Sequence, residues 1–391
     1  MANNVYRYAT TDTVTGRLLA DALPINGLNA QRQINSVGSF TGNLILPTAG
    51  AAKYMVPLWM NAVKPWSSIL WIFQNGKPIW NGPIVAWNHQ SAGDGTLPLQ
   101  AASIEEFFKH RQVDTNLQFS NVDIFEIFRL ELQFALGKKP NGNIAGTGRY
   151  ANASGIVDTV QYSGVVGSVV EADSLKKIYD CWNDLVTTYG LEYALSPMIA
   201  DAGSLFTQAQ LGLPLLGRKF ADTQLQIIFP GRGMIDYAFP WAPQSAVNRE
   251  IVTGSGGGSN PVNYQVASTG VIDGMPLLED STSFTGTVAS QAQIQKYSDS
   301  LVADYAISQW LNPYFIVGDA AFPQIRDVQL GDEILTAMTS PLHPMKANGA
   351  PGYTGSFRLT GWNLNFPSGD QPEQTTYNLG IGNAFTLAGS G

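Results

Sequence analysis

Charge is scarce in this chain. Only 13% of its 391 residues are Asp, Glu, Lys or Arg, about half the usual share of roughly 25%, and Gly, Asn, Gln, Ser and Thr supply the polarity instead. Such a surface fits a chain that hides much of itself against partners; it also fits a β-rich protein with a neutral polar exterior, and composition leaves both open. Basic residues number 22 against 30 acidic ones, a net charge of −8. The basic pairs Lys138-Lys139 and Arg218-Lys219 are too short for electrostatic capture of nucleic acid. One cysteine, Cys181, excludes an intramolecular disulfide framework and fits folding in a reducing compartment. No apolar run approaches the roughly 18 residues of a membrane span, and MANNVYRYATTDT lacks the basic and apolar regions of a secretory signal. Neither a membrane span nor a cleaved signal is expected.

Signatures of catalysis are equally sparse. His89, His110 and His343 are scattered without the close pairing of HExxH or HxH, so no metal site is expected. GLPLLGRK, residues 212–219, imitates a phosphate-binding loop, but the Ser or Thr after Gly-Lys is missing and Pro214 interrupts it. The glycine run at 254–258 does not follow GxGxxG spacing and reads as a linker or surface loop. GxSxG is absent, and Cys181 falls in an amphipathic helical stretch, where a half-buried structural thiol is expected. Glu105, Glu106, Asp319, Asp327, Asp332 and Glu333 contain a glycosidase pair only if two of them meet at the right separation. No enzyme activity and no cofactor are expected.

What the chain has is tryptophan around Asn-Gly pairs. In ILWIFQNGKPIWNGPIVAWNH, residues 69–89, Asn75-Gly76 predicts a two-residue type I′ hairpin turn. Counting outward pairs Gln74 with Lys77, Phe73 with Pro78, Ile72 with Ile79 and Trp71 with Trp80. Asn81-Gly82, before Pro83, marks a bulge or bend in a continuing strand. Trp59, Trp66, Trp71, Trp80 and Trp87 are candidates for a sugar-stacking platform or for interface and core anchors, with packing the preferred reading.

At this length two to four subdomains are expected. Residues 1–115 read as a β-rich barrel or sandwich with strands at 5–10, 17–20, 39–46, 69–89 and 97–101, closed by a short helix, IEEFFKHR, that Ser103 and Glu106 frame as a capping box. Residues 116–220 hold two helices. One is NVDIFEIFRLELQFAL, capped by Ser120, ended by Gly137 and buried on several sides; the other starts at Asp173 and stops at Gly190. Residues 221–284 return to strands, including 225–229. Residues 285–391 give a helix from about 290 to 311, stopped by Asn312-Pro313, and further strands. The expected class is α+β and β-rich, with two small barrel or sandwich domains and a helical, mixed insertion between them.

The two ends carry a resemblance. QAQIQKYSDSLVADYAISQWL, then YFIVGDAAFPQIRDVQLGDEILTAM with its Leu330-Gly331-Asp332 turn, then SFRLTGWNLNF resembles the end of tail-hub proteins of long-tailed bacteriophages, the minor tail or Tal-like group of actinobacterial phages. FTGNLILP, the NGK hairpin and LPLQAASIEEFFKHRQV, ending the short helix at Arg111, resemble the N-terminal barrel of that family, with Ser103 where the family has an acidic residue. The resemblance covers roughly half of the chain and leaves 116–284 unmatched. It implies a homotrimeric ring with two barrels per subunit, adapting a hexameric tail tube or distal tail ring to a threefold tip. The implied partners are the distal tail, tape-measure and other tail-tip proteins, with DNA passing through the lumen without specific binding. The implied location is the virion tail tip, assembled in the host cytoplasm, and the tryptophan ribbon becomes a barrel wall or subunit contact. The alternatives are a host cell-wall carbohydrate-binding or degrading tail protein and a hexameric distal tail protein.

Overall fold

Alternation of apolar and polar residues, broken by Gly, Pro and Asn, makes strands through most of the chain. The computed structural model describes residues 4–47, 49–88, 95–137, 143–145, 147–150, 162–171, 175–201, 203–213, 215–231, 233–238, 249–256, 263–269, 276–288, 291, 295, 298–299, 314–319, 321–366 and 373–381. The first strands are β1 (Tyr6–Asp12), β2 (Leu18–Ala20), β3 (Ile25–Gln33), β4 (Ser39–Ile45), β5 (Ser68–Gln74), β6 (Lys77–Trp87) and β7 (Thr96–Ala102). Helix α1 (Ala49–Ala62) lies between β4 and β5, and a 3-10 helix, Ile104–His110, follows β7. Next come β8 (Leu117–Asp123), α2 (Ile124–Gly137), β9 (Thr147–Tyr150), β10 (Val166–Glu171), α3 (Ile178–Tyr189), β11 (Glu192–Ile199), β12 (Leu205–Gly212) and α4 (Phe220–Thr223). The remainder is β13 (Gln226–Phe229), β14 (Met234–Ala238), β15 (Arg249–Gly256), β16 (Asn263–Thr269), β17 (Glu279–Val288), β18 (Tyr314–Gly318), a 3-10 turn at Ile325–Asp327, β19 (Glu333–Met338), β20 (Tyr353–Asn365) and β21 (Gln374–Ile381).

The chain divides into two units, Met1–Asp236 with Phe315–Gly391, and Tyr237–Tyr314. In the smaller unit β15 lies between β16, antiparallel to it, and β17, parallel to it, with Val252 buried in the central strand. The larger unit is organised by a 13-stranded sheet. Its pivot is β20, which pairs with β19 through its first half, with β21 through its second, and with β3 from Gly361↔Gln33 to Asn365↔Asn29. Strands from both ends of the sequence therefore share one hydrogen-bonded network, and the β-rich α+β class expected from the sequence holds.

The hairpin turn forms where expected, with Asn75 at φ 50° and Gly76 at φ 85°, and Gln74 faces Lys77. Beyond Phe73↔Pro78 the register differs from the count: Ile79 is an extra residue, so Ile72 faces Trp80 and Trp71 faces Asn81. One inserted residue in a period-two strand turns Trp71 and Trp80 onto opposite faces of the sheet, and they form no cross-strand pair. Gly82 carries β6 onward as a bend, passing from β5 to β7; a Cβ there would lie 1.7 Å from the Ala102 carbonyl oxygen.

The helices correct four details. Ser103 caps nothing with its side chain; its Oγ accepts from Gly38 N at 2.7 Å, tying the 3-10 helix to the β3–β4 turn. Ser120 lies in β8, and Asp123, whose Oδ1 accepts from Phe125 N at 2.9 Å, opens α2. The other helix begins at Ile178 rather than Asp173, because Leu175 sits at φ 54°, outside helical backbone. It ends as expected at Gly190, φ 73°. Neither β3 nor α1 was expected, the first for its polar, Gly- and Asn-containing sequence, the second for Pro57 inside it.

The aromatic centre of the insertion is Trp182, stacked on Phe128 at 4.5 Å and flanked by Phe108 and Tyr193 at 4.6 and 5.5 Å. Cys181 is buried beside it, deeper than the half-buried thiol expected. The expected helix at 290–311 lies outside the described residues except for helical positions 291, 295, 298 and 299, as do 257–262 and most of 138–165.

Candidate assembly surface

The five tryptophans separate into two groups. Trp71 and Trp80 are 2% and 0% exposed. Trp71 Nε1 donates to Thr11 Oγ1 at 2.9 Å, and Trp80 packs on Phe40 at 5.7 Å while its Nε1 donates to Gln31 O at 3.3 Å. Both are core residues of one subunit, which removes them from the candidate interface and from any sugar platform. Trp59 and Trp87 are partly exposed, and Trp66 is 40% exposed.

Trp66 is held by the backbone rather than by burial. It sits at φ 61°, its N donates to Ile84 O at 2.8 Å, and its O accepts from Thr13 Oγ1 at 3.1 Å. The ring meets Phe107 and His110 edge-on at 5.8 and 4.9 Å. Just upstream, α1 has Lys53 as its one charged residue and leaves Leu58 and Met55 exposed. Trp87 adds a different feature: among the described residues its Nε1 is buried without a hydrogen-bond partner, a costly state. Apolar residues with few charges, clustered in sequence from 55 to 66, are the chemistry of protein association rather than of catalysis. The tryptophans drew attention to this stretch; Leu58 and Met55 were legible only through the missing charges of AGAAKYMVPLWMNA.

The Leu330-Gly331-Asp332 turn is built into the fold. Asp332 is fully buried and accepts from Arg218 N and Nε, each at 3.0 Å, from Arg218 Nη2 at 2.5 Å and from Gln329 N at 2.8 Å. Gly217 and Gly331 pack backbone to backbone, at φ 106° and 90°; a Cβ on Gly217 would stand 2.0 Å from Gly331 C. GLPLLGRK thus serves as the partner of this turn. Beside it Arg358 Nη2 reaches Glu192 Oε2 at 2.5 Å, and the same oxygen accepts from Leu216 N at 2.6 Å.

Among the described residues, five of the six candidate carboxylates, all but Asp319, have structural partners, Asp332 in the turn above and four others elsewhere. Glu333 accepts from Phe220 N at 2.8 Å, Asp327 from Gln324 N at 3.1 Å, Glu105 from Leu195 N at 3.1 Å, and Glu106 pairs with Lys109 at 3.0 Å. His110 meets Trp66 edge-on, His343 meets Tyr353 edge-on at 5.3 Å, and His89 lies outside the described residues. Among the described residues no three His, Cys, Asp or Glu groups converge on a metal position, and no helix is long and apolar enough to cross a membrane.

A second polar cluster joins the chain ends. Glu373 accepts from Tyr6 Oη at 2.5 Å and from Asn4 Nδ2 at 3.2 Å, while Gln74 Nε2 bonds Tyr6 Oη at 2.7 Å. Burial pushes the Glu373 carboxyl above its ordinary value of 4.5, the Asp319 charge adds to the rise, and the Tyr6 and Asn4 hydrogen bonds oppose it.

No protein-family model matches the chain, and no curated protein sequence is similar to it. Solved structures are similar over the whole length. A tail protein from Neisseria meningitidis MC58 matches with a TM-score of 0.59 and 12% identity, covering 97% of this chain and 98% of that one. The 43 kDa tail protein of prophage MuSo2 from Shewanella oneidensis matches with a TM-score of 0.60 and 10% identity, covering 97% and 99%. Prophage tail protein gp18 from Listeria monocytogenes EGD-e matches with a TM-score of 0.52 and 12% identity, covering 98% and 97%. The chain has the fold of these phage tail proteins.

Proposed function

We propose that this chain is a structural, non-enzymatic component of a bacteriophage tail, a hub of the minor-tail, Tal-like kind, present in the virion as a homotrimeric ring at the tail tip. The observation that carries the reading is the end-to-end likeness to tail proteins, in which 97% of the chain finds a counterpart and those proteins are covered to 98–99%. In this reading the ring joins a hexameric tube or distal tail ring to a threefold tip, surrounds the tape-measure and DNA channel, and assembles in the host cytoplasm. Sparse charge supports it, because closing and stacking rings buries several faces of each subunit. The exposed apolar side chains of α1 and Trp66 support it as well, since such groups gain by burial against another chain.

The test is the mass of the purified protein alone and with neighbouring tail proteins, together with class averages of single particles. Threefold rings, or threefold complexes nucleated by a neighbour, are expected. Sixfold rings would favour the distal tail reading. A monomer that joins no tail protein removes the proposal.

A further inference from the structure

We propose that the cleft between the β5–β6 turn, the β11–β12 pair and the loop 322–330 receives an acidic, apolar-flanked segment of another protein chain. This deepens the tail-assembly reading by naming the chemistry of one contact, and it rests on that reading only for which protein supplies the segment.

The cleft encloses about 530 Å³, within the range of roughly 300–1,000 Å³ typical of ligand pockets. Four cations line it, Arg32, Lys77, Arg218 and Arg326, against one carboxylate, Asp327. In a chain with a net charge of −8 this is a local reversal of sign. Not all of that charge is free: Asp332 neutralises Arg218, and Asp327 stands 3.7 Å from Arg326 in an extended contact. Lys77, at the exposed hairpin turn, has no ion-pair partner among the described residues.

Arg32 is the stronger indication. It is 7% exposed, projects from β3 into the cleft wall, and among the described residues makes one hydrogen bond, from Nη2 to Leu195 O at 2.7 Å. A guanidinium has five donors in a planar fork and keeps its charge. One carbonyl leaves most of those donors unused; Glu105, whose field acts on Arg32, spends Oε1 on Leu195 N, and its Oε2 reaches no hydrogen-bond partner among the described residues, Arg32 included. The remaining donors are not sealed from solvent, so an incoming carboxylate able to accept two parallel bonds can reach them.

The remaining lining decides between carriers of the anion. Pro78, Ile79, Met198 and Ile325 form apolar walls, and Phe322 stands 62% exposed among the lining residues. Apolar walls gain nothing from a phosphodiester but bury the Leu or Phe neighbours of an acidic side chain. The occupant is therefore a peptide segment rather than nucleic acid.

The test is fluorescence anisotropy of the purified chain with a labelled octapeptide that alternates Asp or Glu with Leu and Phe. Saturable binding is expected, with the Asn/Gln version of the peptide at least about tenfold weaker, and the Lys77→Glu/Arg326→Glu double variant weaker by a similar factor, since like charges now oppose. An unchanged melting temperature shows that the variant is folded; should it not fold, Lys77→Ala alone, at the exposed turn, takes its place with a smaller loss. The proposal is overturned if acidic and amide peptides bind alike, if neither binds, if charge reversal leaves affinity unchanged, or if an oligothymidine displaces the peptide. Those failures leave threefold rings untouched, and absent rings leave the peptide result untouched, so the two readings fail separately.

Discussion

Gly217 and Gly331 show how much of this fold hangs on the absence of two methyl groups. Both lie at positive φ; a Cβ on Gly217 would run into the Gly331 carbonyl, and one on Gly331 into the Leu216 carbonyl and the Gly217 nitrogen. Gly217→Ala adds overpacking, about 1–3 kcal/mol, to the strain of a left-handed alanine, about 1–2 kcal/mol. Gly349, also at positive φ but with nothing within 4 Å, isolates the second contribution. Urea unfolding should therefore show Gly217→Ala clearly less stable than Gly349→Ala; equal losses would mean that the Arg218–Asp332 turn moves aside freely. Glu373 makes a prediction about pH. Because burial raises its pKa, the native chain holds a proton that the unfolded chain has released, in a window that opens near 4.5. The stability this group contributes is complete below that window and is lost as pH rises through the folded value. Glu373→Gln abolishes the titration, so its stability relative to the unaltered chain is expected to rise with pH across the window. Parallel pH profiles of the two proteins would refute this.

The β5–β6 ribbon shows which parts of an element its sequence discloses. Asn75-Gly76 is legible because positive φ at two successive positions demands those residue types, and the turn appears as read. The bulge at Ile79 was not legible, since nothing in KPIWNG distinguishes a residue that pairs from one that is skipped; the neighbours of both faces decide it. Helix ends behaved the same way. Gly190 was readable from its own backbone requirement, whereas Ser103 and Ser120 had hydroxyls suited to capping but were placed by the tertiary structure in a strand connection and a strand. Gly82 joins the two cases, since its residue type signals a bend while only the fold reveals that Ala102 fills the missing side chain's place. Gly82→Ala must separate β6 from β7. Its expected cost is the overpacking penalty, about 1–3 kcal/mol or more, with hydrogen exchange accelerated along β6 and β7. Slow exchange there in a stable variant would show that β6 tolerates the shift.

For the molecule as a whole, the sequence disclosed the β-rich class, but not that β3 and β20 pair across more than 300 residues. Strand pairing at such separation leaves no periodic trace; it depends on which edges remain open after local hairpins form. The candidate surface was half legible for the same reason, because a tryptophan announces that it will be buried without saying whether its own subunit or another does the burying. Net charge escapes that ambiguity, since it adds up regardless of fold. With −8 per chain, the proposed ring of three copies would present a large negative excess, and duplex DNA, itself a dense polyanion, is repelled unless cations are concentrated along its path. The cationic cleft is a single concave site with apolar walls rather than a stripe. Retention of duplex DNA in a mobility-shift measurement is therefore expected to be absent even at about 50 mM salt, where non-specific phosphate binding is strong. A salt-sensitive shift would mean that assembly aligns cations into a track, and the lumen would then grip DNA rather than let it pass.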